Sequence, residues 1–283
     1  MSSSPSPLAT ARSFLFVPAN RPERYAKALA SGADAVIIDL EDAIAPTERD
    51  AARALLRAAW APIAVADRAR VLVRINADGS PWHADDLALV GVLALEGLGG
   101  VVLPKAECAQ ALSTIATACP GVATVPLVES AEGVAALDVM ARAPQVLRLA
   151  LGHIDLQVDL GMACGPDQAE LAPLRWAMVL ASRRAGLLAP VDGVSTATGD
   201  PETLAHDTTR SRRYGFGAKL CIHPAQIAGV HAAFAPSAAE CTWAQQVLAA
   251  AEAAAGGVCV VAGRMVDAPV IAMARQTLQR HRI

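Results

Sequence analysis

The stretch Asp34-Ala35-Val36-Ile37-Ile38-Asp39-Leu40-Glu41-Asp42 sets an unbroken apolar run between acidic residues. With no polar residue alternating through it, the run reads as a strand buried on both faces, as parallel strands covered by helices are. Its far end is acidic. Along an extended chain Asp39 and Glu41 project to the same side, with Asp42 just beyond. Carboxylates at the end of a buried strand are costly unless they meet a partner, a metal or a ligand.

The same pattern recurs along the chain. Apolar runs occupy Phe14–Pro18, Val71–Asn76, Gly100–Lys105, Thr124–Glu129, Val146–Gly152, Ala189–Val194 and Gly217–His223. Ala-rich stretches with helical character separate them, among them Thr47–Trp60, Ala84–Leu95, Cys108–Ala118, Leu171–Ala185 and Pro201–Arg213. This alternation is that of βαβ units. Eight units over residues 12–235 favour an α/β fold closed as a (β/α)8 TIM barrel over an open doubly wound sheet, and such a barrel needs about 250 residues. Two further helical stretches, Ala238–Ala255 and Pro269–Arg280, exceed what a barrel needs. With the Gly-containing segment Gly256–Asp267 that joins them, they predict a C-terminal helical appendage over residues 236–283, a lid or an oligomer arm. Residues 1–11 are Ser/Pro-rich and are expected to form a flexible tail, not a signal peptide.

Composition narrows the function. The chain of 283 residues is 54% hydrophobic and 18% charged, with a net charge of −3 and no basic cluster. Nucleic acid and polybasic membrane binding therefore lack electrostatic support. The six cysteines are scattered without a Cys-x-x-Cys pair and read as reduced, buried small hydrophobes rather than zinc ligands or disulfides. No apolar run approaches the roughly 20 residues of a membrane span, so a cytoplasmic protein is expected. The Gly-x4-Gly-Lys-Ser/Thr phosphate loop, the Gly-x-Ser-x-Gly elbow and a full dinucleotide fingerprint are missing.

The informative residues are those that end the runs: Asp39, Glu41, Asp42, Arg74, Asn76, Lys105, Glu129, Asp155, Asp192 and His223. In a barrel, C-terminal strand ends converge on the one face where active sites sit. Glu129 and Asp155 suit Mg²⁺, which takes oxygen ligands and keeps much of its water; a salt bridge from each to a neighbouring Arg or Lys is the alternative. Arg74 offers a planar fork for a carboxylate, or pairs with the Asp39/Glu41/Asp42 cluster. Lys105 binds an anion or balances that cluster, and a Schiff-base role is disfavoured because acidic surroundings keep the amine protonated. Asp39 and Glu41 support cations as readily as they touch substrate. His223 reads as a hydrogen-bonded structural histidine.

Eight ordered motifs now bear on the family. They are Arg12-Ser-Phe-Leu-Phe-Val-Pro18, Asp39-Leu-Glu-Asp42, Val73-Arg-Ile-Asn76, Leu103-Pro-Lys105, Val128-Glu-Ser130, Gly152-His-Ile-Asp-Leu156, Cys221-Ile-His-Pro224 and Gly263-Arg-Met-Val-Asp267. From Arg12 to about Arg280 the chain resembles the citrate lyase β-subunit-like branch of the HpcH/HpaI aldolase superfamily. The resemblance implies a Mg²⁺-dependent carbon–carbon lyase that cleaves or forms a β-hydroxyacyl-CoA, such as citryl-, citramalyl- or malyl-CoA, from an acyl-CoA and an α-keto acid. It implies that Glu129 and Asp155 hold Mg²⁺ and that Arg74 grips the keto-acid carboxylate. Lys105 and Arg12 are then expected to balance phosphate or enolate charge. It further implies a homotrimer in which Asp267 serves as acid/base in a neighbouring protomer's site. For Asp267 a helix N-cap before Ala268-Pro269 is the alternative. The pair Gly256-Gly257 and Gly263 would give that segment the backbone freedom of a lid. Relatives often carry Gly-x-Glu-Asp or Gly-x-x-Asp at the metal motif; here Gly152-His153-Ile154-Asp155 leaves Asp155 as the only carboxylate. A metal-dependent aldolase acting on free hydroxy-keto acids, and a non-catalytic CoA-binding subunit, are the competing functions.

Overall fold

The computed structural model describes residues 6–254 and 259–281. The chain divides into two compact units, residues 1–231 and 232–283. In the first unit eight parallel strands close into a barrel: β1 Ser13–Pro18, β2 Ala35–Asp39, β3 Val71–Arg74, β4 Gly100–Leu103, β5 Ala123–Val128, β6 Ala150–Leu151, β7 Val191–Asp192 and β8 Ala218–Cys221. Each strand pairs with the next, and β8 closes on β1 through Ser13↔Lys219 to Leu15↔Cys221. The chain is therefore a (β/α)8 barrel. Alternation inside each strand divides the side chains. Phe14, Ile37, Leu72, Val102, Val125, Leu127, Val191 and Leu220 fill the barrel interior, while their neighbours face the surrounding helices.

The barrel floor corrects the expected tail of residues 1–11. Pro7–Thr10 is a helical turn capped by Ser6, whose Oγ accepts from Leu8 N at 3.3 Å. Leu8 and Ala11 belong to the interior core. The buried Arg148 ties them down, donating from Nη1 to Ala11 O at 3.0 Å and from Nη2 to Ala9 O at 3.1 Å. An apolar leucine in a Ser/Pro-rich stretch was the one sign of this plug. Residues 1–5 lie outside the described residues.

β6 is short: the run Val146–Gly152 pairs at Thr124↔Val146 and again from Ala150 onward. A helix absent from the sequence expectation follows at once, His153–Asp159.

In the second unit, Ser237 and Glu240 form a capping box that starts the helix Ala238–Ala253. The segment that joins it to the last helix, Ala268–His281, contains an antiparallel hairpin, Cys259–Val261 against Arg264–Val266. Ala262 and Gly263 turn it with φ of 49° and 76°, the left-handed pair that a two-residue hairpin turn requires. The expected lid segment is thus a folded strand pair packed on Ala244, Val247 and Ala274 through Val266. The Gly256-Gly257 pair lies outside the described residues.

Candidate active site

Because all eight strands run the same way, their C-terminal ends open on one face. A cavity of about 480 Å³ lies there, lined by Phe16, Pro18, Asp39, Asp42, Arg74, Leu127, Glu129, Leu151, Gly152, His153, Asp155, Val194 and Ile222, among others.

One wall is an ion cluster built by strand register. Asp39 of β2 stands opposite Arg74 of β3. The guanidinium forks onto that carboxylate, Nε to Oδ1 at 2.7 Å and Nη2 to Oδ2 at 2.6 Å. Its other nitrogen, Nη1, lies 2.9 Å from Glu41 and 3.0 Å from Asp42. Arg74 also lies over the Phe16 ring, 4.9 Å from its centroid. Burial works against the guanidinium, but the Asp39 charge and hydrogen bonds outweigh it and raise its pKa. Asp39 additionally accepts from the backbone N–H of Glu41 and Ala43. Both of its oxygens are therefore spent on anchoring the cluster, and the fork expected to await a substrate carboxylate is closed on Asp39. Glu41 receives Lys105 Nζ at 2.5 Å. Burial raises the Glu41 pKa despite Arg74 and Lys105, and Glu41 in turn raises that of Lys105 over the opposing effect of burial.

Beside this cluster stand the two carboxylates singled out for a metal, Lys105 Nζ lying 3.9 Å from Glu129. Glu129 follows β5 and is almost wholly buried. Its Oε1 accepts from the backbone N–H of Lys105 at 2.7 Å. Burial pushes its carboxyl up to about 8 against the backbone hydrogen bond and charge of Lys105, and Glu41 and Asp155 add to the rise. Asp155 lies in the first turn of His153–Asp159, where the helix dipole favours a negative charge. Among the described residues no group of three His, Cys, Asp or Glu is arranged to hold a metal ion. Two carboxylates in a polar cavity nonetheless fit Mg²⁺, which leaves its remaining positions to water and substrate oxygens. A dication here also favours the ionised form of Glu129, which burial and, to a lesser degree, the neighbouring carboxylates disfavour.

Four of the residues singled out in the sequence lie elsewhere or serve the structure, His223 in the hydrogen-bonded structural role expected of it. Arg12 precedes β1 at the barrel floor, where its backbone N–H donates to Asp34 and its carbonyl accepts from Lys219. Six strand residues at about 3.3 Å each place it roughly 20 Å from the mouth, so it is removed from the substrate-binding set. Asp192 ends β7 but faces the helices. It meets Arg175 at 3.3 Å and Ser211, beside the buried Lys219, whose Nζ donates to Gly193 O at 2.6 Å. One step of alternation from the inward Val191 accounts for its direction. His223 acts as the cap of the turn Pro224–Gln226, with Nδ1 accepting from Ala225 N, and Asn76 bonds Leu40 O and Asp86.

Two cations were missed. A second cleft of about 510 Å³ shares Phe16, Pro18 and Ile222 with the first and is lined by Arg24, Lys27 and His223. Neither Arg24 nor Lys27 meets an acidic partner among the described residues. The available signal was their place just past the end of β1, three residues apart and hence on one helical face. Asp267 accepts from Val270 N at 3.2 Å, capping the last helix.

Comparison with known proteins agrees with this architecture. The model of the HpcH/HpaI aldolase/citrate lyase family matches residues 12–224. A citrate lyase subunit beta-like protein of Deinococcus radiodurans is 39% identical, covering 96% of this chain and 98% of its own. A (3S)-malyl-CoA thioesterase of Cereibacter sphaeroides is 35% identical over 95% of this chain and 94% of its own. Among solved structures, CitE from Mycobacterium tuberculosis in complex with magnesium, acetoacetate and coenzyme A superposes with a TM-score of 0.84 at 35% identity, covering 97% of this chain and all of the other. With the family model matching residues 12–224 and relatives at 39% and 35% identity over nearly the whole length, the chain belongs to the HpcH/HpaI aldolase/citrate lyase family.

Proposed function

We propose that this protein is a Mg²⁺-dependent carbon–carbon lyase that splits a β-hydroxyacyl-CoA into an acyl-CoA and an α-keto acid, or joins the two. The observation that carries the reading is the pair of adjoining clefts. One has the Glu129/Asp155 carboxylates suited to a hard cation, and the other has unpaired Arg24 and Lys27 suited to phosphates. A thioester lying across their shared rim of Phe16, Pro18 and Ile222 would place its acyl end in the first and its nucleotide end in the second. The complex of CitE with magnesium, acetoacetate and coenzyme A supports the same pairing of ligands.

In the cleavage direction the substrate hydroxyl loses its proton, and the bond between its carbon and the α-carbon of the thioester breaks. The electron pair is left on the acyl-CoA enolate, which takes up a proton to become the acyl-CoA product, while the hydroxyl carbon becomes the keto carbon. Mg²⁺, held by Glu129 and Asp155, would supply Lewis-acid polarisation of the keto and carboxylate oxygens. Lys105 and Arg74 would set positive charge beside the carboxylates, to offset enolate charge as it develops. Asp39 and Glu41 hold those cations in place. Asp267 is proposed to handle the proton at the acyl-CoA carbon in a neighbouring protomer of a homotrimer. A cytoplasmic location is part of this proposal; among the described residues no helix is long and apolar enough to cross a membrane.

The test is incubation with malyl-, citramalyl- and citryl-CoA, with Mg²⁺ or with EDTA, and identification of the products. Acyl-CoA plus keto acid, formed only with Mg²⁺, is expected. The relative named as a malyl-CoA thioesterase makes hydrolysis the second reading, and free CoA plus the hydroxy acid would establish it. Turnover of free hydroxy-keto acids with none of the thioesters would favour the aldolase, and turnover of neither would favour the non-catalytic subunit.

A further inference from the structure

The charges around the cavity restrict the keto acid, given the lyase reading above. Five carboxylates, Asp39, Glu41, Asp42, Glu129 and Asp155, face two cations, Arg74 and Lys105. Both cations are engaged: Arg74 by Asp39, Glu41 and Asp42, and Lys105 by Glu41. A dication between Glu129 and Asp155 still leaves the group one positive charge short of neutral. The rest of the wall is largely apolar, with Leu127, Leu151, Val194 and Ile222 beside His153. Arg24 and Lys27 line the adjoining cleft instead.

One substrate carboxylate can be accommodated by chelation together with the keto oxygen. A second would have two destinations. On the acidic side it would meet Asp42, a like charge; on the other it would be stripped of water against leucine and valine side chains, which donate no hydrogen bond in return. Either destination selects against the extra charge while adding no contact for the correct substrate.

We infer that the site selects α-keto acids bearing a single carboxylate, of the glyoxylate and pyruvate class. The matching thioesters carry one free carboxylate, as malyl- and citramalyl-CoA do, in preference to citryl-CoA, which carries two.

Isothermal titration of the wild-type protein at pH 8 with excess Mg²⁺ tests this, using glyoxylate, pyruvate, freshly dissolved oxaloacetate and 2-oxopentanoate. The last has about the length of oxaloacetate without its second charge. NMR of each syringe solution confirms that the oxaloacetate is intact. Glyoxylate or pyruvate should bind at least about tenfold tighter than oxaloacetate, a gap of about 1.4 kcal/mol, and 2-oxopentanoate should also bind tighter than oxaloacetate. Oxaloacetate binding as tightly as pyruvate would overturn the selection and leave the lyase reading standing. Exclusion of 2-oxopentanoate as strong as that of oxaloacetate would overturn its basis in charge. Binding of none of the four would overturn the keto-acid reading and this inference together.

Discussion

Gly152 and Glu129 are packed so closely that no side chain can stand at position 152. A Cβ there would lie 2.3 Å from Glu129 Oε2 and 2.7 Å from Glu129 Cβ. The second contact matters more, because a Cβ is fixed by the backbone and cannot swing aside. The glycine that ends β6 therefore sets the position of the carboxylate that follows β5. Gly152→Ala should leave the barrel folded and weaken Mg²⁺ binding by about tenfold or more, as loss of a ligand's support does. Glu129→Gln and Asp155→Asn should do the same directly. Mg²⁺-dependent thermal stabilisation reads all three, and wild-type behaviour in Gly152→Ala would show that Glu129 does not need this contact.

Arg74→Lys keeps the charge but cannot span the two oxygens of Asp39 and reach Asp42 as well. Lower thermal stability and lower kcat/KM are both expected. Arg74→Ala, which strands a buried carboxylate, should cost about 3 kcal/mol of stability. Denaturant unfolding and steady-state kinetics check these values; a fully stable Arg74→Lys with normal kcat/KM would rule out the fork as the organiser of the mouth.

Arg24→Glu and Lys27→Glu act in the second cleft. Each should raise KM for the CoA thioester with little change in kcat, and titration with keto acid plus Mg²⁺ should be unaffected. An equal loss of keto-acid binding would remove the division of labour between the two clefts.

Asp267 caps the last helix, so an alanine there would confound stability with chemistry. Asparagine caps equally well but cannot move a proton. Asp267→Asn should therefore keep its melting temperature, lose kcat and retain substrate binding. If the site is shared between protomers, mixing Asp267→Asn chains with Glu129→Gln chains should restore part of the activity. No recovery in verified mixed oligomers would place Asp267 outside its neighbour's site.

The barrel floor should titrate. Asp34 Oδ2 accepts from the backbone N–H of Arg12 and Ser13 and lies 3.0 Å from His231 Nε2. Burial works against the Asp34 carboxylate, but His231 and the two backbone donors prevail and hold its pKa below the ordinary value. A carboxyl depressed in the fold contributes stability that is present above its unfolded value of about 3.9 and is lost as pH falls through the folded value. The stability gap between wild type and Asp34→Asn should thus shrink as pH falls below about 4. Thermal melts across that range read it, and a gap independent of pH would show that the carboxylate charge contributes nothing.

The primary structure by itself determined the architecture. Eight apolar runs without alternation require strands covered on both sides, and the Ala-rich segments between them supply the cover. The run from Ala35 to Asp39 is the strand residue for residue. The acidic character of the second run's end was equally legible, because charge at the end of a buried strand needs no three-dimensional information to stand out. Only the tertiary structure decided how those charges are used. Parallel register placed Asp39 against Arg74, so that of the two readings open for the fork the pairing with the acidic cluster is the one formed. Strand direction sent Arg12 to the floor, and a single step of alternation turned Asp192 away from the mouth to Arg175. Arg24 and Lys27, unremarkable as two surface cations, became a cleft because the β1 and β8 ends meet at Pro18 and Ile222. In each case the deciding quantity is a direction in space, set by closure of the sheet and the pleat, and local residue preferences do not carry it.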